Sequence, residues 1–159
     1  IFRAGGGEKV RIQGTGGISF NGDNTSANAL DDYEEGSWTP SFTNVNAPTY
    51  TSRAGTYVKI GSYVHCTGKI VVASGLDTSD GSTFAITDIP VVGNGDHETC
   101  IFNLGRYFDL LGSKGTALRA CRFTGSALLL QESNNDGISY SEGAASGTLE
   151  FAFSYQTNF

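Results

Sequence analysis

The chain has 159 residues, with 22 Gly, 3 Pro, 3 Cys, no Met and a formal net charge of −6. A single domain of this length buries about 70% of the surface its unfolded chain exposes, so it needs neither disulfides nor a metal to hold a core. Scattered Lys and Arg in an acidic chain exclude the basic stripe that nucleic acid or an anionic membrane requires, and no apolar run approaches the ~20 residues of a membrane span.

With Ile1 first and no initiator Met, the sequence reads as a fragment or processed product from the C-terminal end of something longer; any targeting signal would lie upstream. Ile1 to Gly22 holds two strand-like pieces, Lys9–Gln13 and Ile18–Phe20, separated by Gly14-Thr15-Gly16-Gly17. Val10 and Ile12 point one way and Lys9, Arg11 and Gln13 the other. Two apolar residues cannot form a core, so this segment is expected to be completed by neighbouring copies of the chain. Asn28 to Glu35 reads as one helical turn capped by Asn24 or Ser26 and stopped at Gly36.

Strands follow at Ser37–Phe42, Thr49–Ile60, Tyr63–Ala73, Thr83–Ile86, Thr99–Leu104, Ala117–Phe123, Ala127–Gln131 and Thr148–Tyr155. Arg106 to Leu111 is ambiguous by pattern. The last strand is the clearest, with Leu149, Phe151, Phe153 and Tyr155 facing one side and Glu150, Ala152 and Ser154 the other. Gly61-Ser62 reads as a two-residue type II′ hairpin turn, and Thr124-Gly125-Ser126 as another tight connection. The expected fold is all-β: an antiparallel, jelly-roll-like β-sandwich head over 37–159, preceded by a short Gly-rich β stalk over 1–36. The absence of βαβ alternation argues against a parallel α/β sheet.

Trp38 is the sole tryptophan and is expected to plug the base of the sandwich, with sugar stacking as the alternative. Cys66, Cys100 and Cys121 make an odd count without a CxxC pair, which argues against a disulfide framework or a zinc site. Cys66 shares a face with Val64, Ile70 and Val72 and reads as a buried thiol, in keeping with assembly in a reducing cytoplasm.

Gly16–Pro40 (GGISFNGDNTSANALDDYEEGSWTP) resembles the recurring "GGISFNGD…ALDDYEEGTWTP" segment of tailed-phage tail-fibre and tail-associated proteins, especially of marine and cyanobacterial phages, with Ser37 in place of Thr. Tyr50 to Gly61 is similar to that family's "YT…GxYxKIG" strand pair, and Thr83 to Pro90 to its "F-x-I-x-x-L-P" segment, with Ile89 for Leu. Phe151–Thr157 resembles its closing strand, while Val91 to Thr148 shows no specific likeness. The resemblance implies a homotrimeric virion tail-fibre tip, assembled in the host cytoplasm. It would be joined to upstream tail-fibre or baseplate proteins and attach to a host surface glycan or outer-membrane receptor. It would be non-enzymatic and carry no cofactor, with no nucleic-acid partner and no membrane insertion. The alternatives are a structural connector or decoration protein that binds other virion proteins, and a polysaccharide depolymerase.

No G-x-S-x-G elbow, H-E-x-x-H helix or phosphate loop is present; Gly5-Gly6-Gly7-Glu8-Lys9 lacks the spacing. His65, on the face opposite Cys66, and His97 read as surface or subunit-facing groups. Asp31, Asp32, Glu34 and Glu35 could hold a hard cation where copies meet at an axis, or pair with a nearby Arg or Lys; no metal site is assigned. The receptor-binding candidates are Asn134, Asn135, Asp136 and Tyr140 in the polar loop 132–147, and Asp77 and Asp80 in 74–82. Counting reversals places 132–147 and 93–98 at the end where the stalk enters, and 45–48 and 74–82 at the far tip.

Overall fold

The computed structural model describes residues 1–43, 48–75, 85–91, 100–108, 118–132 and 146–157. Three antiparallel sheets make up this part of the chain, none is a closed barrel, and no α-helix occurs among the described residues. The N-terminal sheet orders β1 (Phe2–Ala4), β2 (Gly7–Ile12) and β3 (Ile18–Phe20) side by side. A five-stranded sheet runs β4 (Tyr33–Trp38), β6 (Thr49–Ile60), β7 (Tyr63–Ser74), β12 (Gly147–Gln156), β9 (Ile101–Phe108). A four-stranded sheet runs β10 (Leu118–Phe123), β11 (Leu128–Glu132), β8 (Ala85–Thr87), β5 (Ser41–Thr43).

Turn chemistry sets the hairpins. Gly5 and Gly6 both take positive φ (60° and 79°), the pattern of a type I′ turn between β1 and β2. Gly61 takes φ 56° while Ser62 does not turn positive, as the expected II′ turn requires. Phe2–Ala4 is a strand that the sequence pattern missed. The expected helical turn over 28–35 is corrected: a 3-10 turn covers only Ser26–Asn28, and Tyr33 onward is strand. Its N-cap, Thr25, makes no side-chain cap bond, whereas Tyr33 to Trp38 finds a continuous ladder partner in Ile60 to Gly55. The expected strand Ser37–Phe42 also divides. The run changes sheets at Thr39-Pro40, where proline removes a ladder donor.

The two larger sheets share one core, in which Val64, Cys66, Ile70 and Val72 of β7 and Leu149, Phe151, Phe153 and Tyr155 of β12 meet Phe42, Ile86, Phe123, Leu128 and Leu130. β12, last in sequence, lies inside the five-stranded sheet and pairs with β7 and β9. Its aromatic rings stack along the strand, with centroids 6.1 Å (Phe151–Phe153) and 5.6 Å (Phe153–Tyr155) apart. Trp38 is 7% exposed and donates its indole N–H to the Thr67 carbonyl at 2.9 Å. The indole lies over Gly55, where any Cβ would also meet the Thr67 carbonyl at 2.5 Å. Gly68, paired with Gly55 across the strands, makes the same room for the Phe151 ring. Trp38 is therefore a core residue, and its burial removes the sugar-stacking alternative.

Cys66 is fully buried and burial pushes its thiol up to about 12. It is expected to resist iodoacetamide in the folded protein at pH 8 and to react after urea unfolding, read by peptide mass spectrometry; labelling of folded protein at the unfolded rate would contradict this.

The register also fixes the two ends of the molecule. The Gly61-Ser62 turn sits beside the N-terminal segment, with Gly61 N–H donating to the Asp32 carbonyl at 2.8 Å. Gly147 pairs with Val72, at the other end of β7. This corrects the expected placement of 132–147: both flanks, Glu132 and Ser146-Gly147, stand at the far end. The flanks of 44–47, 76–84 and 109–117 stand there too, through Thr43↔Ala85, Thr49↔Ser74 and Phe108↔Thr148. The near end holds the turns at Gly61 and Thr124-Gly125, and the flanks of 92–99.

Candidate functional site

Alternation leaves the middle of the outer face of the five-stranded sheet to small and polar side chains, with Ile60, Tyr63 and Ile101 exposed toward one end of it. One cross-strand row is Thr56, Thr67, Ala152 and Asn103; the next is Ala54, Lys69, Glu150 and Arg106. The β12–β9 register slips between these rows, leaving Gly105 unpaired, where a Cβ would stand 3.2 Å from the Glu150 carbonyl oxygen. Small side chains in a row flanked by longer ones leave a shallow, open concavity of about 550 Å³.

Its polar groups are modest and well placed for hydroxyl-bearing ligands. The Thr56 and Thr67 hydroxyls lie 2.9 Å apart, and Asn103 is exposed. Lys69 Nζ stands 2.7 Å from Glu150 Oε1, and the ammonium holds that carboxyl below the usual carboxylate range. An exposed pair of this kind contributes little to stability and is free to exchange partners with a ligand.

One row nearer the N-terminal sheet, Tyr63 donates its hydroxyl to Ser154 Oγ at 2.8 Å, and His65 Nδ1 lies 2.9 Å from the same oxygen. A Ser–His contact is what nucleophilic catalysis needs. Ser154 sits mid-strand with ladder partners on both sides, His65 and Ile101, so its backbone is committed to the sheet.

The acidic cluster is dispersed by the pleat. Asp32 pairs with the Lys59 ammonium, Glu34 accepts from the Tyr57 hydroxyl, and Glu35 accepts from the Tyr33 hydroxyl at 2.8 Å. No group of three or more metal-ligating side chains is gathered among the described residues. Within one chain, Asp32 thus has the Lys partner that one reading of this cluster expected, on a strand-leading segment and not on the helix-capping turn expected with it.

Asn134, Asn135, Asp136, Tyr140, Asp77 and Asp80 lie outside the described residues, as does His97. The described residues that flank their segments, Ser74 and Gly147, stand at the far end. The outer-face row escaped the sequence reading, which sought binding groups in loops. The signal for it was present: Glu150, Ala152 and Ser154 alternate against a wholly apolar face, with Thr56 and Thr67 opposite small partners.

Comparison with protein-family models, curated proteins and solved structures returned no match.

Proposed function

We propose that this chain is the terminal part of a tailed-phage tail fibre, a homotrimer whose jelly-roll-like sandwich head attaches the virion to a host surface glycan. It acts without catalysis or a cofactor, is joined through its N-terminal segment to upstream fibre or baseplate proteins, and is displayed on the virion after assembly in the host cytoplasm. The observation that carries this is the polarity of the molecule. The N-terminal sheet lies at one end, and the described residues that flank 44–47, 76–84, 109–117 and 133–145 stand at the other. A set of connections held at one end of a rigid β scaffold is how recognition surfaces are commonly built. The resemblance of Gly16–Pro40 to fibre segments supports the same reading.

The test is a host-envelope glycan array probed with the full chain and with three variants. Tyr140→Ala and Asn134→Ala are expected to weaken the best-bound glycan about tenfold or more, the loss of one stacking or hydrogen-bonding anchor. Asn103→Ala, on the outer face, is expected to leave it unchanged. A wild-type chain that takes up no glycan and does not bind host cells would sink the attachment reading in favour of a connector role. Loss in Asn103→Ala alone would move the site to the outer-face concavity.

A further inference from the structure

The N-terminal sheet is inside out for a free-standing unit. Its register pairs Phe2 with Val10, Val10 with Phe20, and Ile12 with Ile18; an isolated bridge adds Leu30 beside Ile18. These side chains therefore share one face. Phe2, Ile12, Ile18, Phe20 and Leu30 are between 39% and 66% exposed on it.

The opposite face is finished. The register slips by one residue at Lys9, which brings Glu8 to the same side as Arg11. Arg11 donates to both Glu8 carboxylate oxygens, at 2.6 and 2.8 Å, and this holds the Glu8 carboxyl below its usual range. Gln13 donates to Ser19 Oγ at 2.9 Å, and Ser19, buried, donates to the Asp23 carbonyl at 2.6 Å. Glu8, Arg11, Gln13 and Ser19 on this side already have partners within the chain, while the apolar side stays open to solvent.

A small sheet in water needs its apolar face covered. Large side chains carry about 150–250 Å² each, so exposures of this size leave roughly 500 Å² of apolar surface per copy. A standard association buries about 800 Å² per partner. One such face meeting another therefore supplies more than half of what stable pairing requires. Charge opposes a like partner only weakly at this place: residues 1–22 carry Arg3, Lys9 and Arg11 against Glu8, a local balance of 3 − 1 = +2 in a chain of −6.

We infer that the Phe2, Val10, Ile12, Ile18, Phe20, Leu30 face is the self-association surface of this chain, and that its occupant is the same face of further copies. The inference deepens the assembly part of the proposed function and rests on it; the attachment part has its own test.

Light scattering on the full chain decides it. Wild type is expected at a multiple of 16.7 kDa. Ile12→Asp and Phe20→Asp are expected to fall to the mass of one copy. Arg3→Ser, on the other face, is expected to keep the wild-type mass. Emission from the buried Trp38 shows whether each variant retains its core. If an Asp variant does not, Ile12→Thr is read instead, with an expected rise of about tenfold in the dissociation constant. A wild type that is monomeric at every concentration overturns the inference, and so do Asp variants that keep both core and wild-type mass. An oligomer that binds no glycan upholds this surface while sinking the attachment reading; a monomer that binds glycan does the reverse.

Discussion

Gly55→Ala is expected to destabilise the protein by about 2–3 kcal/mol, the cost of forcing a methyl group into a filled core. The residue has no room to give. Its Cβ would fall against the Trp38 indole nitrogen on one side and the Thr67 carbonyl, a backbone atom, on the other. Relief means moving the indole, which breaks its hydrogen bond to that carbonyl and disturbs edge contacts with Phe151 and Phe153 at 6.2 and 6.1 Å. For a chain of this length such a loss lowers the melting midpoint by roughly 5–10 °C. Urea unfolding followed by Trp38 emission measures it directly, since the chain has one tryptophan. Gly14→Ala is the control, because a Cβ there meets nothing within 4 Å. Equal midpoints for Gly55→Ala and wild type would mean that the indole is not seated on this glycine.

Alkali is expected to unfold the protein well below the pH at which arginine or the backbone is affected. Burial raises the Cys66 thiol from its ordinary value near 9 to about 12, and burial raises the neighbouring Tyr155 phenol as well. A group whose folded-state pKa is raised adds stability that is complete below the unfolded value and is lost as pH climbs to the folded one. For Cys66 that window runs from about 9 to about 12, and the loss across it is about 4 kcal/mol. Tyr155, which donates to the Val91 carbonyl at 2.6 Å, steepens the fall once pH passes the ordinary phenol value. Urea midpoints at pH 7, 9, 10 and 11 are expected to decline for wild type. Cys66→Ala should begin lower, for the lost packing, and stay flat between pH 9 and 10. Parallel declines in the two proteins would show that other groups govern the alkaline limb.

The strands of the larger sheets were legible because one face is buried and the other is not. In Gly147–Gln156 the apolar residues recur at every second position, and a period of two leaves no other reading. Gly61-Ser62 was legible for a backbone reason, since glycine at the first central position selects the turn. The failures are equally physical. Asn28 to Glu35 reads as a helical turn, yet from Tyr33 onward β6 offers a paired edge, and ladder bonds plus Lys59 and Tyr57 outweigh local preference. Phe2–Ala4 is too short to show a period and is held by the Gly5-Gly6 turn. The break at Thr39-Pro40 was hidden because the run keeps its direction while changing sheets. Of the candidate site, sequence could name polar loop residues but not the end from which their segments emerge, which depends on the register between β12 and β7.

The placement of β12 makes the order of synthesis part of the architecture. The last of the described strands fills an interior slot of the five-stranded sheet, so β9 has no ladder neighbour among the described strands and β7 keeps an open edge until residues 147–156 arrive. Pairings this distant in sequence form late. A chain cut short before Gly147 keeps its turns and its N-terminal sheet but lacks Leu149, Phe151, Phe153 and Tyr155, and with them the aromatic row around which the core packs. Chains that stop before residue 147 would therefore stay open and prone to degradation, and only chains that include β12 would close the core.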